Sequence, residues 1–191
     1  MVTWIIIGVI VVVLLFLVVG AYNKLVALDQ AADQSFADID VQLRQRQDLI
    51  PNLVEAVKGY ASHERGTLEA VTQARAAAQS AGSVNEKVQA ENMLTAALGR
   101  LFAVAEAYPD LKASTNFLQL QNELSDIENK LAAARRFFNS AVSEFNAVRR
   151  QFPTVLFAAM VGFGSDKPFF DLGEADRAAM SAAPPTVNFQ A

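Results

Sequence analysis

Residues 117–148 read FLQLQNELSDIENKLAAARRFFNSAVSEFNAV, and they hold the clearest structural pattern of the chain. Apolar residues recur there at steps of three and four positions, the period that places side chains on one face of a helix. Ten residues form this apolar seam: Phe117, Leu120, Leu124, Ile127, Leu131, Ala134, Phe138, Ala141, Phe145 and Val148. Because a seam of this kind packs as knobs into holes, the segment predicts a long helix in a coiled coil or bundle.

Two further helices are expected ahead of this segment. Apolar residues from Lys24 to about Gln47 keep the helical spacing and predict the first. The run DLIPNLV, residues 48–54, is expected to end it. A proline suits the first turn of a new helix but not a helix interior, so Pro51 predicts a second helix that continues to about Ser80.

A third helix and the short connections define the expected arrangement. Ser83-Val84-Asn85-Glu86 has the form of a capping box, in which Ser and Glu satisfy each other's free backbone N–H groups. It opens a helix that Pro109 stops. Since few residues separate the helices, neighbours are expected to be antiparallel. The predicted fold class is therefore all-α: an N-terminal transmembrane helix that continues, over residues 24–152, into an antiparallel bundle of about four long helices.

Residues 1–23 contain no charged side chain, whereas the rest of the 191-residue chain carries all 16 Lys and Arg and all 20 Asp and Glu. Trp4 and Tyr22 flank the apolar run, about 27 Å apart along a helix, which is close to the thickness of a bilayer core. We therefore expect a transmembrane anchor with these two aromatics at the headgroup level. A cleaved signal peptide is the alternative, although no basic residue precedes the run. Lys24 is the only basic residue near either end and leaves the orientation open.

Composition and motifs argue against several classes of function. The net charge of −4 disfavours a nucleic-acid partner, which needs a basic surface. With no cysteine, a thiolate zinc site and a cysteine nucleophile are excluded. His63-Glu64 begins an HExxH pattern, but Thr67 occupies the place of the second histidine. No catalytic residue, metal site or cofactor is therefore predicted.

An acidic cluster on the first helix has two interpretations. Asp29, Asp33, Asp38 and Asp40 are carboxylates of the kind that bind divalent cations, but their spacing differs from that of an EF-hand loop. We favour a solvated helix face.

The segment after the last helix is expected to return to the membrane. If four helices alternate in direction, the chain after Val148 reaches the end of the bundle where the anchor begins. Residues 153–170 are apolar but too short to span a bilayer. They can pack on the bundle, lie in the membrane interface or bind a partner, with membrane or partner contacts expected at Phe157, Phe163, Phe169 and Phe170. Residues 171–191 are predicted to be a flexible tail.

Beside the apolar seam runs a polar stripe, Glu128, Arg135, Asn139 and Asn146, again at helical spacing. Such polar groups either fix helix register through buried hydrogen bonds or form a surface for a partner. We favour the structural interpretation for most of the stripe.

Several short motifs resemble those of the LemA family. They are Tyr22-Asn23, Arg46, the DLIPNLV run, Lys58-Gly59-Tyr60, His63-Glu64, Asn116-Phe117-Leu118-Gln119-Leu120, Glu128-Asn129, Ala134-Arg135-Arg136-Phe137-Phe138-Asn139, Phe145-Asn146 and Phe152-Pro153. The resemblance covers residues 22–170. It departs at Gln47, where an aromatic residue or histidine is common, and at Phe137-Phe138, where tyrosine is often found.

The resemblance implies a non-enzymatic, single-pass protein of the bacterial inner membrane with a helical bundle. Members of the family are associated with membrane proteases and with the formation of organelle membranes. We accordingly expect a membrane-anchored scaffold or adaptor that contacts the lipid bilayer and binds another membrane protein, a membrane protease being one candidate. The alternative is a homo-oligomer that assembles with itself and organises or shapes the membrane.

Overall fold

The computed structural model describes residues 1–61 and 63–171, and these residues form helices and their connections. Helix α1 extends over Val2–Lys58, α2 over Arg65–Ser80, α3 over Val84–Ala107, the short α4 over Pro109–Lys112 and α5 over Thr115–Arg150. A single 3₁₀ turn, Thr154–Leu156, follows α5. The predicted tail at residues 172–191 lies outside the described residues.

The helix break predicted at residues 48–54 is wrong, because α1 continues through Pro51 to Lys58. Pro51 has no N–H to donate to the carbonyl oxygen of Gln47, four residues earlier, and such a loss normally kinks or ends a helix. Here Arg75 of α2 donates its Nε–H to that carbonyl oxygen at 2.7 Å. A side chain from a neighbouring helix thus replaces the missing backbone donor, and α1 ends only at Lys58, with Gly59 as its C-cap.

The predicted start of α3 is confirmed. The Ser83 hydroxyl accepts from the N–H of Glu86 at 3.3 Å, while Glu86 Oε2 accepts from the N–H of Ser83 at 2.9 Å. These bonds favour the ionised carboxylate, so the backbone N–H groups of Ser83 and then Gly82 hold the pKa of Glu86 below its usual value. The capping box is therefore a complete one.

The antiparallel pair α1 and α5 is the central element of the fold. At the end of the bundle opposite the N-terminal apolar stretch, which we call the far end, Leu53 of α1 and Phe117 of α5 share a core with residues of α2, α3 and α4. Midway, Ile39 packs in a cluster with Leu131 and Phe138. Near the N-terminal run, Leu25 clusters with Phe145 and Val148. Seven of the ten seam residues are fully buried, which confirms α5 as the central helix: Phe117, Leu120, Leu124, Leu131, Phe138, Phe145 and Val148.

The α2–α3 hairpin covers α1 and α5 only over the far part of the bundle. Its turn reaches the level of Asp40, which pairs with Lys87 at the start of α3. Closer to the N-terminus, the chain that follows α5 takes the place of the hairpin, and Phe170 joins the middle cluster there. The structure thus supports the predicted bundle, in which an irregular segment covers α1 and α5 at the end next to the N-terminal apolar stretch.

The N-terminal part of α1 projects from the bundle. Residues 1–20 are exposed, and within the described part of the chain α1 is the one helix with a stretch long and apolar enough to cross a membrane. Trp4 and Tyr22 lie at the two ends of this stretch and are both exposed. Leu25 is the first buried residue of α1.

Candidate functional site

The segment after α5 divides into two parts, which we call the end loop, residues 151–163, and the strap, residues 164–170. The strap is held against α5 by two asparagines of the polar stripe. Asn146 donates to the carbonyl oxygen of Lys167 at 3.0 Å and accepts from its N–H at 2.9 Å. Asn139 makes the same pair of bonds with Phe170, at 3.1 Å and 2.8 Å. Each side-chain amide therefore forms hydrogen bonds with both the backbone N–H and the carbonyl oxygen of one strap residue, as the backbone of a neighbouring β-strand would.

The spacing of these contacts matches the two backbones. The asparagines lie seven positions apart, about 10.5 Å along a helix. Their partners lie three positions apart, about 10 Å in an extended chain. The strap therefore runs antiparallel to α5 with little mismatch between the two pairs of bonds.

Charged residues fix the strap to α1 as well. Lys167 Nζ lies 2.9 Å from Asp29 Oδ1 and 2.7 Å from Asp33 Oδ1, both on α1. Burial alone would lower the pKa of Lys167, but the hydrogen bonds and charges of Asp33 and Asp29 outweigh it and raise that pKa above its usual value. Two members of the acidic cluster thus bind the strap, rather than forming the solvated face favoured from the sequence.

At the start of the strap, Asp166 accepts hydrogen bonds from both Arg149 and Arg150, the last two residues of α5. Arg149 also donates to the carbonyl oxygen of Gly164 at 3.2 Å. The end of α5 and the beginning of the strap are therefore joined by charge as well as by the chain.

All four predicted members of the polar stripe make contacts within the chain. Besides the two asparagines, Glu128 pairs with Arg46 of α1 at 2.7 Å. Arg135 lies over the ring of Phe170, 5.2 Å from its centroid. These contacts favour the interpretation of the stripe as a structural element over that of a surface for a partner.

Arg46 is the centre of a buried polar cluster that the sequence analysis did not identify. Its side chain is 1% exposed, and its guanidinium lies 2.7 Å from Glu91 of α3. It also donates to Thr95 at 2.8 Å, while Gln47 donates to Glu91 at 3.3 Å. With Glu128, this cluster links α1, α3 and α5. A signal was present, because Arg46 and Glu91 stand at positions where the helical spacing calls for apolar residues.

The four phenylalanines expected to contact a membrane or partner have different environments. Phe157 and Phe163 are half-buried, and Phe169 is exposed. Phe170 is 2% exposed and packs inside the bundle, so it has no surface for either contact and the expectation for this residue is corrected. The residues of the end loop that are most exposed were not singled out from the sequence: Phe152, Val155, Leu156, Met160 and Val161.

A cleft of about 500 Å³ lies at the far end of the bundle, between α1 and α2. Val54 and Leu68 supply its apolar lining, and charged residues from both helices surround them: Glu55, Lys58, Arg65 and Glu69. Among residues 1–61 and 63–171, no group of three or more His, Cys, Asp or Glu residues is placed to hold a metal ion.

Comparison with known proteins identifies relatives of this sequence. The family model named LemA family matches residues 35–189. The chain is 27% identical over 133 residues to Protein LemA of Metamycoplasma hominis, an alignment that covers 69% of this chain and 61% of the relative. It is 23% identical over 168 residues to Magnetosome protein MamQ of Magnetospirillum gryphiswaldense, covering 74% of this chain and 62% of the relative. The chain thus spans less than two thirds of the length of these curated relatives.

Proposed function

Since the chain belongs to the LemA family, we propose that it is a non-enzymatic helical scaffold, anchored in the bacterial inner membrane, that holds another membrane protein at a fixed distance from the bilayer. The observation that carries this proposal is the continuity of α1. One helix of 57 residues contains both the apolar stretch and one side of the bundle.

This continuity couples the bundle to the anchor. From Tyr22, at the expected membrane surface, α1 extends through 36 more residues to Lys58, a rise of about 54 Å. No turn separates the apolar stretch from the bundle, so the direction of the bundle follows that of the anchor. A continuous helix of this kind suits a protein that positions a partner above a membrane.

The use of the buried polar groups supports a scaffold rather than an enzyme. Arg46 of α1 pairs with Glu91 of α3 and Glu128 of α5, and Asn139 and Asn146 hold the strap. Each of these side chains makes hydrogen bonds or ion pairs with another part of the chain, an arrangement that fixes helix register.

The cleft at the far end is the proposed surface for the partner. An apolar centre surrounded by charges of both signs is the usual composition of a protein–protein interface. Val54 and Leu68 provide this centre, and Lys58, Arg65 and Glu69 lie around it. The proposed ligand of the cleft is an amphipathic segment of another membrane protein. A separate observation, the name of the relative MamQ as a magnetosome protein, supports a role at a membrane.

Site-specific photo-crosslinking of the full-length protein in native membranes tests the proposal. A photoreactive residue replaces Gln73, which lines the cleft, and a matched variant carries it at Phe137, an exposed position on α5. We expect a discrete adduct with a membrane protein, identified by mass spectrometry, from the cleft position only. Equal adducts from both positions, or lipid adducts alone, would contradict the proposal. An adduct between two copies from the cleft would favour the self-assembling alternative.

A further inference from the structure

The end loop presents an apolar surface with a defined shape. Five large apolar side chains are between 41% and 85% exposed: Phe152, Val155, Leu156, Met160 and Val161. Monomeric soluble proteins rarely expose so many apolar side chains together, and such patches mark sites of contact with proteins or membranes.

The opposite side of the same loop is fixed to the bundle. Ala158 is buried against Leu25 and Phe145, and the ring of Phe163 packs on that of Phe145 at 5.8 Å. The N–H of Phe163 donates to the carbonyl oxygen of Ala158 at 2.8 Å, across a turn in which Gly162 has φ = +96°. The loop is therefore ordered: one side of it packs on the bundle, and the exposed side chains lie on the other side.

The height of the loop coincides with the expected membrane surface. Leu25, on which Ala158 packs, lies three residues beyond Tyr22, a rise of about 4.5 Å along α1. The headgroup layer on each side of the hydrocarbon core is about 5–7 Å thick. A loop packed at Leu25 is therefore at headgroup level whenever Tyr22 is.

The charge distribution around the loop agrees with this placement. Residues 151–165 contain no charged side chain, and Arg149 and Arg150 precede them directly. Arg150 is largely exposed although it shares Asp166 with Arg149. Lys24 lies on α1 at the same level. Exposed basic residues beside an apolar surface favour an interface that contains anionic lipids. Arg150 and Lys24 supply such residues here, although Asp166 offsets part of the positive charge.

We infer that the end loop is a second membrane contact, which inserts its exposed apolar side chains into the lipid interface beside α1. This inference rests on one part of the proposed function, the membrane anchor formed by the N-terminal part of α1, and it requires no partner protein. The position of the loop singles out lipid as the occupant, because its buried side packs on Leu25, three residues beyond the end of the apolar stretch at Tyr22.

Fluorescence quenching in vesicles provides the test. The chain has no cysteine, so a single introduced cysteine carries one label. Three full-length variants are labelled and placed in vesicles of phosphatidylethanolamine and phosphatidylglycerol: Met160→Cys in the loop, Phe16→Cys in the apolar stretch and Met93→Cys on α3. Met93 is a matched control because it is also an exposed methionine. It lies at the level of the Arg46 cluster, well above Tyr22.

Lipids with brominated acyl chains, and iodide in the aqueous phase, distinguish the outcomes. We expect the Met160 label to lose fluorescence with brominated lipid as the Phe16 label does, while the Met93 label responds to iodide alone. If the Phe16 label is quenched by lipid but the Met160 label behaves like the Met93 label, the inference fails and the anchor stands. If neither Phe16 nor Met160 responds to lipid, both fail. Protection of the Met160 label from both quenchers, increasing with protein density, would assign the loop to a second copy and overturn the inference.

Discussion

Replacement of Arg75 by methionine tests why α1 continues through Pro51. The carbonyl oxygen of Gln47 has no donor at position 51, and Arg75 Nε supplies one at 2.7 Å from α2. A hydrogen bond made by a charged donor contributes about 1.5–3 kcal/mol, and its removal leaves a polar atom of a buried residue without that partner. We therefore expect Arg75→Met to lower the free energy of unfolding by about 1.5–3 kcal/mol.

The same substitution in a Pro51→Ala background isolates the effect. Alanine restores an N–H at position 51, which can donate to Gln47 as in a regular helix. Arg75→Met should then cost less than about 0.5 kcal/mol, the range of an ordinary surface substitution, and the coupling between the two sites should be about 1–2.5 kcal/mol.

Urea denaturation of the full-length protein in a mild detergent, followed by far-ultraviolet circular dichroism, measures these free energies. Arg100→Met on α3 is a matched control, because Arg100 is exposed. An equal cost of Arg75→Met with proline or alanine at position 51 would refute the explanation, since the cost would then arise from some other contact of Arg75.

Three further predictions concern the other polar contacts. Arg46→Leu should destabilise the bundle by about 3–5 kcal/mol, because it leaves the buried carboxylate of Glu91 without its cation. The double variant Arg46→Leu with Glu91→Leu should recover most of that stability in the same denaturation assay. Asn139→Leu should increase amide hydrogen exchange at Phe170 while leaving exchange in the far part of the bundle unchanged, and general acceleration along α5 would contradict a role confined to the strap. For Lys167, whose folded pKa lies above 10.5, the stabilisation is fully present below that pH and is lost as pH rises through the folded value. Lys167→Arg should therefore flatten the alkaline decrease of the melting temperature, and a parallel decrease in both proteins would contradict the assignment.

The parts of the fold that were predicted correctly depend on neighbours in sequence. The apolar seam of α5 repeats every three or four residues, and the capping box joins Ser83 to Glu86 within one turn. Such signals are visible in the sequence because the interacting groups lie within a few positions of each other. The return of the chain to the N-terminal end followed from the alternation of helices, and the packing of Ala158 on Leu25 agrees with it.

The parts that were missed depend on partners far along the chain. Pro51 alone predicts a helix start, because the donor that compensates for it, Arg75, is 24 positions away on another helix. The strap was not recognised because an extended segment that bonds to side-chain amides leaves no periodic pattern. Arg46 lies on the buried face of α1, and its partner Glu91 is 45 positions away on α3, so no local pattern predicts the pair. Sequence periodicity thus predicts the helices, whereas the contacts between them required the structure.

The strap holds the proposed membrane contact of the end loop in a fixed position on the bundle. The asparagine pairs fix the strap along α5, and Lys167 fixes it to α1, so its position is determined by two helices at once. Because the end loop lies between α5 and the strap, both of its ends are held, and its exposed apolar side chains cannot move along α1 without breaking these bonds. A membrane contact made by the loop would therefore act on the direction of α5, and through the antiparallel α1–α5 pair on the far cleft. A bundle held by one membrane helix alone can tilt toward the bilayer in any direction, whereas a loop at headgroup level would favour the tilt that places its apolar side chains in the lipid. The strap keeps the loop in the position that this preference requires.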